Sequence, residues 1–261
     1  MEENNKSGKG SLFMQYRPVV IALIAGICAI ICVSIFTGNI IQYKKNAGGT
    51  GITATGSASV DFESDLVVWR GSFSVEGSTP KDAYSRIKKD GELVKSYLKE
   101  NGVSDDEMVF SSVRISPTYT STYDDEGRYI GDVQTGYELV QSMTVTSGDI
   151  DKVELISRDI TNLIESGVEL ESDLPEYYYT KLDELKLDLI SKATANAKER
   201  IDLVAGGCGA QTDKLLTANL GVFQITATNS GTESYSYGGS FNTTSRFKTA
   251  NITVRLNYSV K

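Results

Sequence analysis

The sequence predicts an α+β domain, antiparallel sheets covered by helices, preceded by one apolar N-terminal helix. Three observations carry this reading. Segments alternating with period two stand beside segments with apolar residues three and four apart. Strand pairs follow one another without a helix between them, which suits antiparallel sheet with helices on one face. Residues 18–43 contain no charged side chain.

The short N-terminus, residues 1–17, carries Lys6, Lys9 and Arg17. PVVIALIAGICAIICVSIFTGNIIQY (18–43) follows. At 1.5 Å of rise per residue, the stretch from Pro18 to Phe36 alone approaches the roughly 30 Å of bilayer hydrocarbon. Lys44 and Lys45 come after it, and the lysine and arginine balance, with the N-terminal amine, favours a cytoplasmic N-terminus. A cleaved signal peptide shares the charged start and apolar run, but this run is long for one and no small-x-small site follows. Bulky Ile27 before Cys28 departs from a lipoprotein signal. The expectation is an uncleaved signal-anchor helix over 18–43, a flexible linker over 44–50, and an extracytoplasmic domain over 51–261, in the periplasm or at the cell surface.

In that domain, DLVVWRGSFSVEG (65–77) places Val67, Trp69, Phe73 and Val75 on one face of a strand and Arg70, Ser72 and Ser74 on the other. A helix over 80–101 has Thr79 as N-cap, Pro80 at its first position and Asp82 in a capping-box-like place. Its apolar stripe is Ala83, Ile87, Val94 and Leu98, interrupted by Gly91, and Asn101-Gly102 ends it. Strands follow at 109–120 and 133–146, the second with Tyr137, Leu139, Met143 and Val145 inward. YDDEGRY between them has turn chemistry; as a calcium loop it lacks spaced ligands and a closing glutamate.

Residues 149–166 read as a second amphipathic helix on Val153, Ile156, Ile160 and Leu163, ending at Gly167. A third runs from 181 to about 205 with Thr180 as N-cap and Asp183 as its acid. Its stripe is Leu182, Leu185, Leu189, Ala193, Ala197, Ile201 and Val204, and Gly206-Gly207 terminates it. The chain closes with strand-rich LLTANLGVFQITAT, a Ser/Gly/Tyr loop, and TANITVRLNYSV, where Ile252, Val254, Leu256, Tyr258 and Val260 alternate with polar residues. Strand-helix-strand-strand thus occurs twice, at 65–146 and from about 168 to 260, joined by the 149–166 helix.

Composition narrows the chemistry. There is no histidine, which removes the usual general base of serine and cysteine hydrolases and the commonest neutral metal ligand. Cys28 and Cys32 lie in the apolar run, so Cys208 alone cannot form an internal disulfide or a cysteine zinc site. It has no histidine or nearby cysteine to activate or resolve it, which leaves redox sensing weakly supported. Residues 46–261 carry 21 basic and 32 acidic side chains, a balance of −11 that repels nucleic acid and anionic lipid. No cofactor is expected.

ITATGSASVDFESD, the 80–101 helix leading to VRISPTY, GYELVQSMTV before DIDKV, LPEYYYTKLDEL, KATANAKERIDLVAGGCGA and the closing TANITVRLNYSV together resemble the SIMPL-domain family, a family of unknown function. The resemblance spans 51–261, and its specificity lies in the order of these motifs. It implies a bacterial, secreted or envelope-anchored protein, similar to the Brucella periplasmic immunogenic protein and oxidative-stress-associated relatives. It also implies large ring or channel-like homo-oligomers and supplies no catalytic residues. Many members have a cleaved signal, whereas this chain keeps an anchor.

Four aromatics are the candidate interaction surface: Tyr178, Tyr235, Tyr237 and Phe241. Pro175 holds Leu174 extended, so Tyr177–Tyr179 finish a strand. Tyr177 and Tyr179 then share a face and pack under the following helix, leaving Tyr178 to solvent, a neighbouring subunit, a glycan or a peptide. The loop TNSGTESYSYGGSFNTTSRF (228–247) is long and has contact-loop composition, or it is a mobile hairpin tip. The acids Asp61, Glu63 and Asp65, and Asp105, Asp106 and Glu107, are raw material for a carboxylate-only hydrolase, and clustered acids in turns are more ordinarily solvated faces. Sequons at Asn242, Asn251 and Asn257 read as incidental. The expected function is a non-enzymatic, self-associating envelope component, with a glycan- or peptide-binding module as the alternative.

Overall fold

The computed structural model describes residues 22, 25–40, 51–230 and 238–261. Residues 25–40 are helical (α1) and exposed. The rest of the 18–43 segment and the 44–50 linker lie outside the described residues, as do Tyr235 and Tyr237. Among the described residues no helix is long and apolar enough to cross a membrane, so the anchor rests on the sequence.

The remaining elements are β1 Gly51–Glu63, β2 Leu66–Gly77, α2 Pro80–Glu100, β3 Met108–Phe110, β4 Arg114–Tyr123, β5 Tyr129–Ser147 and α3 Ile150–Asp159. Then come a 3₁₀ helix Ile160–Ser166, β6 Glu169–Ser172, β7 Glu176–Tyr178, α4 Leu182–Gly207, β8 Thr212–Leu220, β9 Gln224–Ala227, β10 Ser240–Phe241 and β11 Phe247–Val260. The fold is α+β, with two antiparallel or mixed sheets. Two compact units are distinguished: the described part of 1–54 with Lys198–Ala218 and Leu256–Lys261, and Thr55–Ala197 with Asn219–Arg255.

In the larger unit one sheet is ordered β3-β5-β2-β6, with β4 also on β5 and β7 also on β2. β2 and β5 pair antiparallel from Val67–Ser147 to Gly77–Tyr137. This register puts Trp69 beside Val145 and Val75 beside Leu139. The predicted inner face of β2 is buried, as are Leu139, Met143 and Val145. α2 covers this face with Ala83, Ile87, Val94 and Leu98, all fully buried. Its cap is the predicted one: Thr79 Oγ1 accepts from the Asp82 N–H at 3.3 Å, and Gly102 past its end has φ +85°, a conformation that suits glycine. α3 completes the core with Val153 and Ile156.

Several boundaries differ from the expectation. The predicted 149–166 helix tightens after Asp159 into the 3₁₀ helix, capped by Gly167 at φ 87°. The predicted 109–120 strand is broken at Ser111–Val113, where the Ser111 N–H donates to Ser142 O at 2.8 Å. The segment preceding α4 is two short strands, β6 and β7, and Tyr179 lies past the second. α4 starts at Leu182, and Thr180, two residues before it, donates through its hydroxyl and its N–H to Asp65, at 2.6 and 2.7 Å. Val204 is half exposed and Ala205 takes its place in the buried stripe, four residues after Ile201.

The second sheet is ordered β1-β11-β9-β10, with β8 also on β11. The sequence reading assigned no strand to 51–63. β10 falls inside the predicted unstructured 228–247 loop and pairs parallel with β9. The twofold series of elements does not divide into two separate sheets, since β6 and β7 join β2 while β1 joins β11. Where β1 meets α4 the approach is close: a Cβ at Gly56 would overlap Ala193 O and Ala197 N.

In the smaller unit, Gln211 and Lys261 exchange backbone hydrogen bonds of 3.0 and 2.9 Å, fixing the start of β8 against the end of β11. Lys198, on α4, lies 4.9 Å from the Tyr258 ring centroid and donates to Thr212 Oγ1 at 3.0 Å.

Candidate functional site

The three tyrosines sit where the last residues of β7 meet the connection between β1 and β2 and the segment leading into β11. The Tyr177 N–H donates to Thr243 O at 2.7 Å, the Asp65 N–H to Tyr178 O at 3.0 Å, and the Ser64 N–H to Arg246 O at 3.0 Å. Tyr177 packs against the core under α2 and α3, and its hydroxyl donates to Glu154 Oε1 at 2.8 Å. Burial first, and that hydrogen bond second, push its phenol up to about 12. Tyr179 meets Phe62 at a tilt, ring centroids 5.0 Å apart. Tyr177 does not pack under α4 as expected but reaches α3, because β7 pairs with β2 in the α2–α3 sheet.

Tyr178 faces the other way, its hydroxyl on Glu176 at 3.1 Å. Arg70 completes the trio with an ion pair to Glu176 at 2.6 Å, and that hydrogen bond is the main cause of Glu176 titrating below the ordinary carboxylate range. Phe241, half exposed on β10, stands with its ring centroid 6.4 Å from that of Tyr178. Two of the four predicted contact aromatics are therefore neighbours, brought together by the β2–β7 and β9–β10 pairings.

Beneath them lies a residue the sequence reading missed. Lys248 is almost fully buried, its Nζ donating to Tyr177 O and lying 5.7 Å from the Phe241 ring centroid. The available signal was parity, since Lys248 shares the inward phase of Ala250, Ile252 and Val254. Burial pushes its ammonium down to about 8 from 10.5. The folded state therefore gives up this proton sooner than the unfolded chain. The cost of burying the charge is full below about pH 8 and fades as the pH approaches 10.5. Against Lys248→Met at each pH, the wild type is expected to gain on the order of 2–3 kcal/mol between pH 8 and 10.5. Urea unfolding followed by the fluorescence of Trp69, the single tryptophan, measures this difference; a flat difference contradicts it.

Arg246 is a second junction. Its guanidinium pairs with Glu63 at 2.6 Å and with Asp151, and lies 3.9 Å from Glu154. The hydrogen bonds it donates to Asp151 and, next, to Glu63 raise its pKa further. A cleft of about 510 Å³ opens beside it, with Asp65 and Asp149 also on its walls. The predicted acid clusters are largely committed to structure. Asp61 accepts from Thr249 at 2.6 Å, Asp65 holds Thr180, and Asp105 pairs with Lys99 at 2.7 Å. Glu107 accepts from the Ser104 N–H at 3.0 Å and also from Ser147, which hold it down at about 2. Among the described residues no three acids or cysteines gather in a metal-binding group.

A further exposed apolar surface lies elsewhere. β5 pairs with β2 only from Tyr137 onward, whereas β4 and β5 stay paired out to Tyr123–Tyr129. The outer ends of β4 and β5 thus form a two-stranded arm beyond the sheet. On it Tyr119, Tyr123, Tyr129, Ile130 and Val133 are each more than half exposed.

The model of the SIMPL family, described as a protein of unknown function (DUF541), matches residues 52–260. The chain belongs to the SIMPL family. Its match begins at β1, the strand that pairs with β11, so the SIMPL region takes in both sheets. No curated protein matches this SIMPL chain.

Proposed function

We propose that this SIMPL protein is a non-enzymatic, self-associating structural or interaction component of the bacterial cell envelope. Residues 18–43 anchor it with the N-terminus cytoplasmic, and residues 51–261 work outside the membrane. The uncharged 18–43 segment supports the anchor. We read the doubled strand-helix-strand-strand series as an internal duplication whose halves share strands. The observation that carries self-association is the β4–β5 arm, because an isolated two-stranded ribbon with apolar side chains in water is marginal without a partner. The carboxylate-hydrolase reading has less support, since Asp61, Glu63, Asp65, Asp105 and Glu107 each hold a structural partner.

Light scattering of the full chain in detergent is expected to give a multimer; a monomer across the micromolar range overturns self-association. Orientation is read at Cys208, which is exposed: a membrane-impermeant maleimide should label it in intact spheroplasts. Labelling only after lysis overturns the topology.

A second reading is favoured by one observation, the adjacency of Tyr178 and Phe241 over buried Lys248: a platform for a glycan or peptide. Binding on a glycan or peptide array that disappears in Phe241→Ser with unchanged circular dichroism supports it; an empty array removes it.

A further inference from the structure

We propose that the tip of the β4–β5 arm of one copy docks into a groove on α2 of a second copy. This rests on the self-association reading and names its mating surfaces.

The groove has a volume of about 320 Å³ and is walled by Tyr84, Phe110 and Val113, with Lys88, Lys95 and Glu92 on it, Lys95 also pairing with Asp105 at 3.1 Å. Gly91 opens it: the residue that interrupts the stripe of α2 leaves a gap where any other side chain would stand, directly over Phe73. An apolar floor whose lining carries two lysines against one glutamate suits an aromatic group flanked by acids.

The arm carries such a group. Tyr123 and Tyr129 face each other edge to face across its end, ring centroids 6.1 Å apart. The turn beyond them is pre-shaped, because Asp124 Oδ1 accepts from the N–H groups of Glu126 and Arg128 at 3.0 and 2.8 Å. A rigid tip loses little freedom on docking. Residues 119–134 contain four acids, Asp124, Asp125, Glu126 and Asp132, against Arg128 alone. α2 runs the other way, with six basic and four acidic residues in a domain whose balance is strongly negative. The two surfaces are complementary in charge.

The occupant comes from another molecule. Phe110 and Val113 stand at the foot of the arm, and the strand from Thr118 to Tyr123 carries the tip roughly 20 Å away. A paired ribbon does not fold back on its own base. Tip-to-foot contact is head-to-tail, so it repeats from copy to copy and either closes into a ring or runs open.

The test uses the full chain in detergent, with Trp69 fluorescence confirming the fold of each variant. Groove reversal (Lys88→Glu with Lys95→Glu) and tip reversal (Asp125→Lys with Glu126→Lys) are each expected to weaken association at least tenfold. Mixed in equal amounts, the two variants should recover the wild-type mass. Every tip in an alternating assembly then meets a groove of opposite sign, while like copies repel. Variants that retain the wild-type mass, or a mixture that stays dissociated, overturn the docking while leaving self-association intact. A monomeric wild type overturns both.

Discussion

Trp69→Ala is expected to lower the unfolding free energy by about 4 kcal/mol. The indole is fully buried on the inner face of β2, between Val67 and Phe73. Its Nε1–H is shared between Ser172 Oγ and Asp173 O, each at 3.1 Å, which ties β2 to the turn between β6 and β7. Alanine leaves a cavity in the core under α2 and α3 and deprives both acceptors, so the transfer, cavity and hydrogen-bond penalties fall in one place. Trp69→Phe keeps most of the volume and loses the donor, and should cost roughly 1–2 kcal/mol. Urea unfolding by far-UV circular dichroism reads both, since the fluorophore is gone. A loss below about 1.5 kcal/mol for the alanine variant would contradict the burial.

The second large effect is expected at Gly56. A valine there meets backbone on α4, not a movable side chain: the carbonyl of Ala193 and the amide of Ala197 occupy the space of its Cβ. Relief requires α4 to lift off β1 and give up the Asn196 Oδ1 contact with the Ser57 N–H. The cost is about 3 kcal/mol or more, at the upper end of overpacking. Gly206→Ala is the internal control, because nothing lies within 4 Å of an added Cβ there. Thermal unfolding should show a large drop for the first variant and almost none for the second; similar values for the two would sink the close-packing argument.

Both positions bear on what could be read in advance. Trp69 was legible because its strand alternates locally, and α2 because a cap, an N1 proline and a three-and-four stripe lie within one short segment. β11 was legible for the same reason. β1 was not: GITATGSAS is built of small residues without an apolar alternation, and what makes it a strand is its pairing with β11. Ala205 displaced Val204 because helical phase, not hydrophobicity, decides the buried side.

The candidate surface divides along the same line. Tyr178 and Phe241 could each be singled out by composition and flanking residues. Their adjacency depends on pairings between distant strands, which no window of sequence contains. Lys248 was hidden for a different reason, since a lysine in an alternating strand reads as an outward residue until its phase is compared with that of Ile252 and Val254.

The partnership of β1 with β11 has a consequence for biogenesis. Translation delivers the opening strand of the domain first and its neighbour last, so β1 waits bare-edged until Phe247–Val260 has been made. Such a closure is slow, because contacts far apart in the chain must form before they are rewarded. A nascent chain stalled before its C-terminus would present an open template to other polypeptides. Holding factors that shield that edge are therefore expected to matter more for the yield of this protein than for one whose sheets are completed in order.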